Sequence, residues 1–264
     1  MVKISRYKYI DRIMPQIIFL LILIPVMLTG CQKESSDDTK EVLSGARNET
    51  ASDSHVDFDE LKSENEDIFA WVYVPDTSID YPVCQSSEGD DSFYITHNVK
   101  KEEDPNGAIY TECANLMNMC DFNEILHGSS PSDGTMFYDL NRFLDRAYFD
   151  EHEYIYVYIE GNALIYYVFA AYTRNDHRLL EEYDFTYASG CKAFLDEIYS
   201  DRSMGKIIRS GWDGAVKEDN FIITLSTHNI DDPSRQTVVI GCLVGDVRGT
   251  IDRVVDYSDP SEDW

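Results

Sequence analysis

Basic side chains are scarce in this sequence: 22 Lys and Arg stand against 49 Asp and Glu in 264 residues, a formal net charge of −27. That balance argues against a nucleic-acid binder, whose affinity rests on Lys and Arg meeting phosphates. It argues equally against electrostatic docking on an anionic membrane. No CxxC pair and no His/Cys cluster with zinc spacing occurs, so neither a metal nor another cofactor is expected. No internal repeat is visible, and no apolar run reaches the roughly 20 residues that span a bilayer.

The longest apolar run, Ile17 to Leu28, follows a positive head of Lys3, Arg6, Lys8 and Arg12, the pattern of an export signal over 1–30. It ends in Leu28-Thr29-Gly30-Cys31, which resembles a bacterial lipobox. The resemblance implies that Cys31 is lipidated and becomes the mature N-terminus, anchoring the chain on the extracellular face of the cytoplasmic membrane. Residues 31–57 are Ser/Asp/Glu-rich and almost free of large apolar side chains, so they read as a flexible polar tether. Removal of the signal takes away four basic residues and Asp11, leaving 18 Lys and Arg against 48 Asp and Glu, near −30. Such charge keeps a surface solvated, or forms an acidic docking face for a basic partner.

About 200 residues remain, one domain over 58–250 followed by an acidic tail over 251–264. Phe58 to Ala70 has the spacing of a short amphipathic helix, and 188–202 has helical spacing with Phe194, Leu195 and Ile198 on one side. Strand-like runs rich in Val, Ile, Tyr and Thr fall at 71–75, 78–83, 107–112, 123–127, 154–160, 163–173, 221–227 and 237–244. Gly161-Asn162 marks a hairpin turn between two of them. Eight short strands with few helices predict a mainly β domain, a closed or nearly closed barrel. Beyond Cys31, five cysteines remain; Cys242 lies in an apolar run and reads as core, while Cys113 and Cys120 flank a loop that a disulfide could close.

Three blocks carry a more specific signal. The first holds Asn65-x-Asp67, Trp71, Thr77-x-Ile79-Asp80-Tyr81-Pro82-Val83-x-Gln85 and Phe93-Tyr94-x-x-His97-Asn98. The second is Asn123 to Leu140, NEILHGSSPSDGTMFYDL, and the third Phe221 to Val239, FIITLSTHNIDDPSRQTVV. In this order and spacing they resemble the class B sortases, cysteine transpeptidases that attach proteins to Gram-positive cell walls. The resemblance implies a closed eight-stranded sortase-type barrel with an N-terminal helix and a helix before the penultimate strand. It also implies an extended, sorting-signal-like peptide of a surface protein as partner. Tyr94 and His97 are expected to shape a loop.

The departures fall on the chemistry. Ser129 stands at the family's histidine position and His228 at its nucleophilic cysteine; Arg235 is taken as the family arginine, with His127 and Thr227 as groove residues. A thiolate beside a cationic histidine is a strong nucleophile at neutral pH. Without either, thioacyl transfer is not expected, and the leading expectation is a peptide-binding pseudo-enzyme. Alternatives are an inverted pair, with His228 as base for Ser129, Asp231 or Asp232 orienting the imidazole and Arg235 stabilising the oxyanion; the recruitment of His127 or Cys120; or an envelope interaction module using the acidic surface.

Overall fold

The computed structural model describes residues 56–200, 205–249 and 251–257. The export signal, Cys31, nearly all of the tether and residues 258–264 lie outside the described residues.

Helix α1, Phe58–Glu64, is capped by Asp57, whose side chain accepts from the Glu60 amide at 3.0 Å. It is half as long as its apolar spacing predicts, because Asn65 is drawn into tertiary hydrogen bonds. Its Nδ2 donates to Tyr94 Oη at 2.8 Å and to the Val99 carbonyl at 2.9 Å, while its Oδ1 accepts from the Asp67 amide at 3.0 Å. Those contacts hold Asn65 extended and release Ile68 into a strand.

The strands are β1 (Ile68–Tyr73), β2 (Asp80–Cys84), β3 (Ile109–Tyr110), β4 (Asn123–His127), β5 (Tyr154–Ile159), β6 (Asn162–Asn175), β7 (Ile207–Ile208), β8 (Ile222–His228) and β9 (Arg235–Asp246). Their order is β5-β1-β2-β3-β4-β8-β9-β6-β7, and β5 also pairs with β6. The first eight therefore close into a barrel, with β7 added outside the ring on β6. The expected eight-stranded barrel is present, with that two-residue strand the extra piece. The β5–β6 hairpin turns through Glu160 and Gly161 (φ 70°), one residue earlier than the Gly161-Asn162 step. Short helices α2 (Arg146–Glu151) and α3 (Leu179–Glu182) lie in connections, and α4 (Ala188–Ser200) is the helix before the last two barrel strands.

The central strands bury both faces, which explains their unbroken apolar runs. Leu126, Tyr166, Ile223, Leu225 and Val239 point into the barrel. Ile125, Ile222, Val238 and Ile240 point outward, beneath Cys191, Phe194, Leu195 and Ile198 of α4. On β4 the odd residues therefore face outward, and on β8 and β9 the even ones. That parity aims His127, Ser226, His228 and Gln236 at one outer surface.

Inside the barrel, Glu124 is fully buried, and only one of its oxygens has a partner, the Asp121 amide at 3.3 Å. Burial, reinforced by Asp121, raises its pKa well above the ordinary carboxylate range. The unfolded chain ionises at the ordinary value and the folded one only at higher pH. The resulting penalty is absent in acid and grows as pH rises above about 4.3. Urea midpoints of wild type and Glu124→Gln should therefore coincide near pH 4 and diverge in favour of the amide toward pH 7; a constant gap would show that Glu124 is ionised in the fold.

Candidate functional site

The parallel pairing of β4 with β8 sets Asn123 opposite Ile222 and His127 opposite Ser226, and the Gly128 amide donates to the Ser226 carbonyl at 3.1 Å. Gly128 has no room for a side chain: a Cβ would stand 2.4 Å from Ile109 Cδ1 and 2.8 Å from Phe137. The chain leaves β4 pressed against the core and delivers Ser129 beside the end of β8. There a cleft of 710 Å³ opens, within the range of small-molecule and peptide sites. Its floor includes His127, Ser129, Ser226, His228 and Gln236; one wall is 89–95 with 105–108, and the other is Asp176, His177 and Arg178.

The cleft thus gathers Ser129, His228, His127 and Thr227, four of the residues singled out from the sequence. Ser129 and His228 share no hydrogen bond. The Ser129 hydroxyl donates to the Asn106 carbonyl at 2.7 Å, tying the opposite wall to the floor. His228 is 64% exposed, and its Nδ1 lies 3.5 Å from Asp176 Oδ2. Neither Asp231 nor Asp232 partners it: the Asp231 amide donates to Asn229, and the Asp232 carboxylate accepts from Ser234. His127 stacks on Tyr110, with Nε2 3.5 Å from the buried Glu112. Thr227 is buried, its hydroxyl without a partner.

Arg235 does not line the cleft. It precedes Gln236 on β9, so the pleat turns it to the other face, where Nη2 donates to the Thr173 carbonyl at 2.7 Å. The side chain that β9 presents to the cleft is Gln236. Its Nε2 donates to the carbonyls of Asn175 (3.1 Å) and His177 (2.7 Å), and its Oε1 accepts from the Ser226 hydroxyl. Gln236 therefore fastens the turn after β6 to the floor.

That turn carries Arg178, the one Lys or Arg among the lining residues. Its Nε donates to Glu112 Oε1 at 2.8 Å, Nη2 to Asp91 Oδ2 at 2.8 Å and Nη1 to Glu181 Oε1 at 3.1 Å. Burial alone would raise the Glu112 pKa, but the His127 imidazole 3.5 Å away and the hydrogen bond and charge of Arg178 outweigh it and hold the group below its ordinary range. Sequence reasoning missed Arg178, Glu112 and Gln236, since no local motif marks them.

All five cysteines among the described residues are free thiols, so Cys113 and Cys120 form no bridge, and none lines the cleft. Burial pushes Cys84 and Cys242 up to about 12 and Cys191 to about 11; Cys113 is pushed up to about 11 by desolvation and by Asp91. Cys120 directs its Sγ to the Asn118 carbonyl. Among the described residues no group of three or more His, Cys, Asp or Glu could hold a metal ion.

No protein-family model matches the chain. Among curated proteins it is similar to sortase B of Listeria monocytogenes, 37% identical over 93 residues, 35% of this chain and 37% of that protein. It is also similar to sortase B of Staphylococcus aureus, 29% identical over 170 residues, 64% of this chain and 66% of that protein. The matched segments thus span about a third and just under two thirds of those relatives. Among solved structures, Clostridium perfringens sortase B superposes with a TM-score of 0.61 at 27% identity, covering 72% of this chain and all of that one. A Staphylococcus aureus sortase B–substrate complex superposes with a TM-score of 0.61 at 25% identity, covering 78% and 90%. These likenesses in sequence and in fold support assigning the chain to the class B sortase family.

Proposed function

We propose that this protein is a catalytically retired sortase that binds an extended peptide in the β4–β8 cleft, within cell-wall protein sorting, while Cys31 anchors it to the outer face of the membrane. The observation that carries the reading is the state of the three catalytic positions. The nucleophile's place holds His228, exposed and facing Asp176. The histidine's place holds Ser129, whose proton is committed to Asn106. Arg235 points away. An imidazole attacking a carbonyl would form an acyl-imidazole, which hydrolyses readily and is a poor store for transfer to an amine. The surrounding scaffold and an open cleft are intact, and a neighbouring sortase B has been solved with its substrate. Those features support binding without turnover.

The inverted Ser129/His228 hydrolase is the second reading, favoured only by the presence of both residues in one cleft. Mass spectrometry of wild type, Ser129→Ala and the restored Ser129→His/His228→Cys, each given sorting-type peptides and an amine, separates the two. The expected result is no acyl-enzyme and no amine-dependent product from wild type, with turnover, if any, confined to the restored pair. Cleavage by wild type that Ser129→Ala abolishes would establish the serine site instead.

Two further outcomes follow from the chemistry of the cysteines. Cys31→Ala should move the protein from the membrane fraction to the soluble one; an unchanged distribution would remove the lipid anchor from the proposal. Alkylation of Cys113, followed residue by residue, should rise about tenfold per unit from pH 7 to pH 10, because only the thiolate reacts and its pKa is about 11. A plateau near neutral pH would reveal an activated thiol and reopen thiol chemistry.

A further inference from the structure

We propose that Arg178 is the cleft's ligand-positioning cation, holding a carbonyl oxygen of the bound peptide in place of the arginine that the family site lacks here. The inference rests on the peptide-binding reading above and goes beyond it by naming the residue and the ligand chemistry. Arg235 reaches the Thr173 carbonyl on the far face of β9, and Gln236, which does face the cleft, spends its amide on Asn175, His177 and Ser226. Arg178 is the remaining cation among the lining residues.

Its geometry suits the task. A guanidinium carries five N–H donors. Glu112, Asp91 and Glu181 each take one, on Nε, Nη2 and Nη1 respectively. Each terminal nitrogen therefore keeps one N–H unassigned, and the side chain is 46% exposed at the cleft. The three carboxylates fix the plane of the fork, so little rotamer entropy is lost when a ligand accepts from it. The turn that bears it is fastened to the floor through Gln236.

The same surroundings select the ligand's charge. Asp90, Asp91, Glu112 and Asp176 line the cleft against this single guanidinium, so the site is net negative even with Arg178 charged. A carboxylate ligand would gain one cation and meet four like charges. A neutral carbonyl takes the hydrogen bonds without that repulsion, and a basic side chain alongside it is favoured. The ligand class is an uncharged or basic extended peptide, with acidic side chains excluded near Arg178.

The test uses N-acetylated, C-amidated random hexapeptides displayed on beads, captured by the full protein and sequenced, with affinities of the best binders then measured by fluorescence anisotropy. Four proteins are compared: wild type, Arg178→Lys, Arg178→Gln/Glu112→Gln and Lys192→Gln. The double variant removes both charges of the Arg178–Glu112 pair, so the fold is not left with a buried, uncompensated Glu112; thermal unfolding reports its integrity separately. Wild type is expected to select a pool depleted in Asp and Glu. The double variant should lose roughly ten- to hundredfold in affinity, the effect of hydrogen bonds from a charged donor. Arg178→Lys, which keeps the ion pairs but not the spare fork donors, should fold normally and fail to restore binding. Lys192→Gln, an exposed cation on α4 paired with Asp196, should bind as wild type. Equal binding by wild type and the folded double variant, rescue by Arg178→Lys, or selection of acidic peptides overturns the role of Arg178 and leaves the peptide-binding reading standing. Capture of no peptide by wild type overturns both.

Discussion

The site depends on one pairing, the parallel ladder that sets β4 beside β8 across some hundred residues of sequence. It is anchored at its start by a buried hydrogen bond from Thr224 Oγ1 to Asn123 Oδ1 at 2.8 Å and at its end by the Gly128 amide. Parallel strands cannot be joined by a tight turn, so this register is set by the packing of both faces, barrel interior and α4. Once it is set, the ends of the two strands necessarily lie together. A family can therefore keep this junction and change the side chains displayed there, because the energy that forms it lies in the buried faces rather than at the rim.

The residues that carry the family resemblance divide along the same line. Asn65, Asp67 and Tyr94 form a buried network, with Tyr94 Oη donating to Asp67 at 2.7 Å. Thr77 closes the turn before β2 by donating to the Val74 carbonyl and accepting from the Ile79 amide. Tyr81 Oη accepts from the Met136 amide, Asp139 accepts from Ser78, and Gln85 donates to the carbonyls of Glu112 and Asn115. His97 stacks on Phe93 and hydrogen-bonds its carbonyl, the loop-shaping role its motif implied. These groups orient loops and satisfy buried polar atoms. Losing any of them would cost folding free energy, whereas a substitution at the exposed position 228 costs almost none.

The long, periodic features of the fold were legible in the sequence. β4 and β5 lie within a residue of their apolar runs, and the face of α4 carrying Phe194, Leu195 and Ile198 is the buried one. Legibility failed where tertiary hydrogen bonds override local pattern. α1 stops at Asn65 although the apolar spacing continues to Ala70. β3 shrinks to two residues, since it pairs with β2 at two positions and with β4 at one. β7 is too short to show any periodicity. In the site, positions 127, 129, 227 and 228 were reached through the motif blocks. The pleat of β9 decided between Arg235 and Gln236, and a one-residue ambiguity in a loop is enough to exchange the two faces of a strand. Arg178 was invisible for another reason: its partners Asp91 and Glu112 lie 87 and 66 residues away.

Electrostatics limit the chemistry this cleft can support. A sortase thiolate needs nearby positive charge to lower its pKa. This cleft instead presents four carboxylates around one guanidinium that is itself committed to three of its neighbours' oxygens. Cys113, close to this wall, shows the consequence, its thiol raised by desolvation and by Asp91. A cysteine restored at position 228 would meet Asp176 where a thiolate requires a cation. A cysteine placed there alone would therefore be a thiol that the surrounding charge keeps protonated. The charge that disfavours a thiolate is the same charge that would draw a basic peptide into the cleft, so one field acts against thiol chemistry and in favour of a cationic ligand.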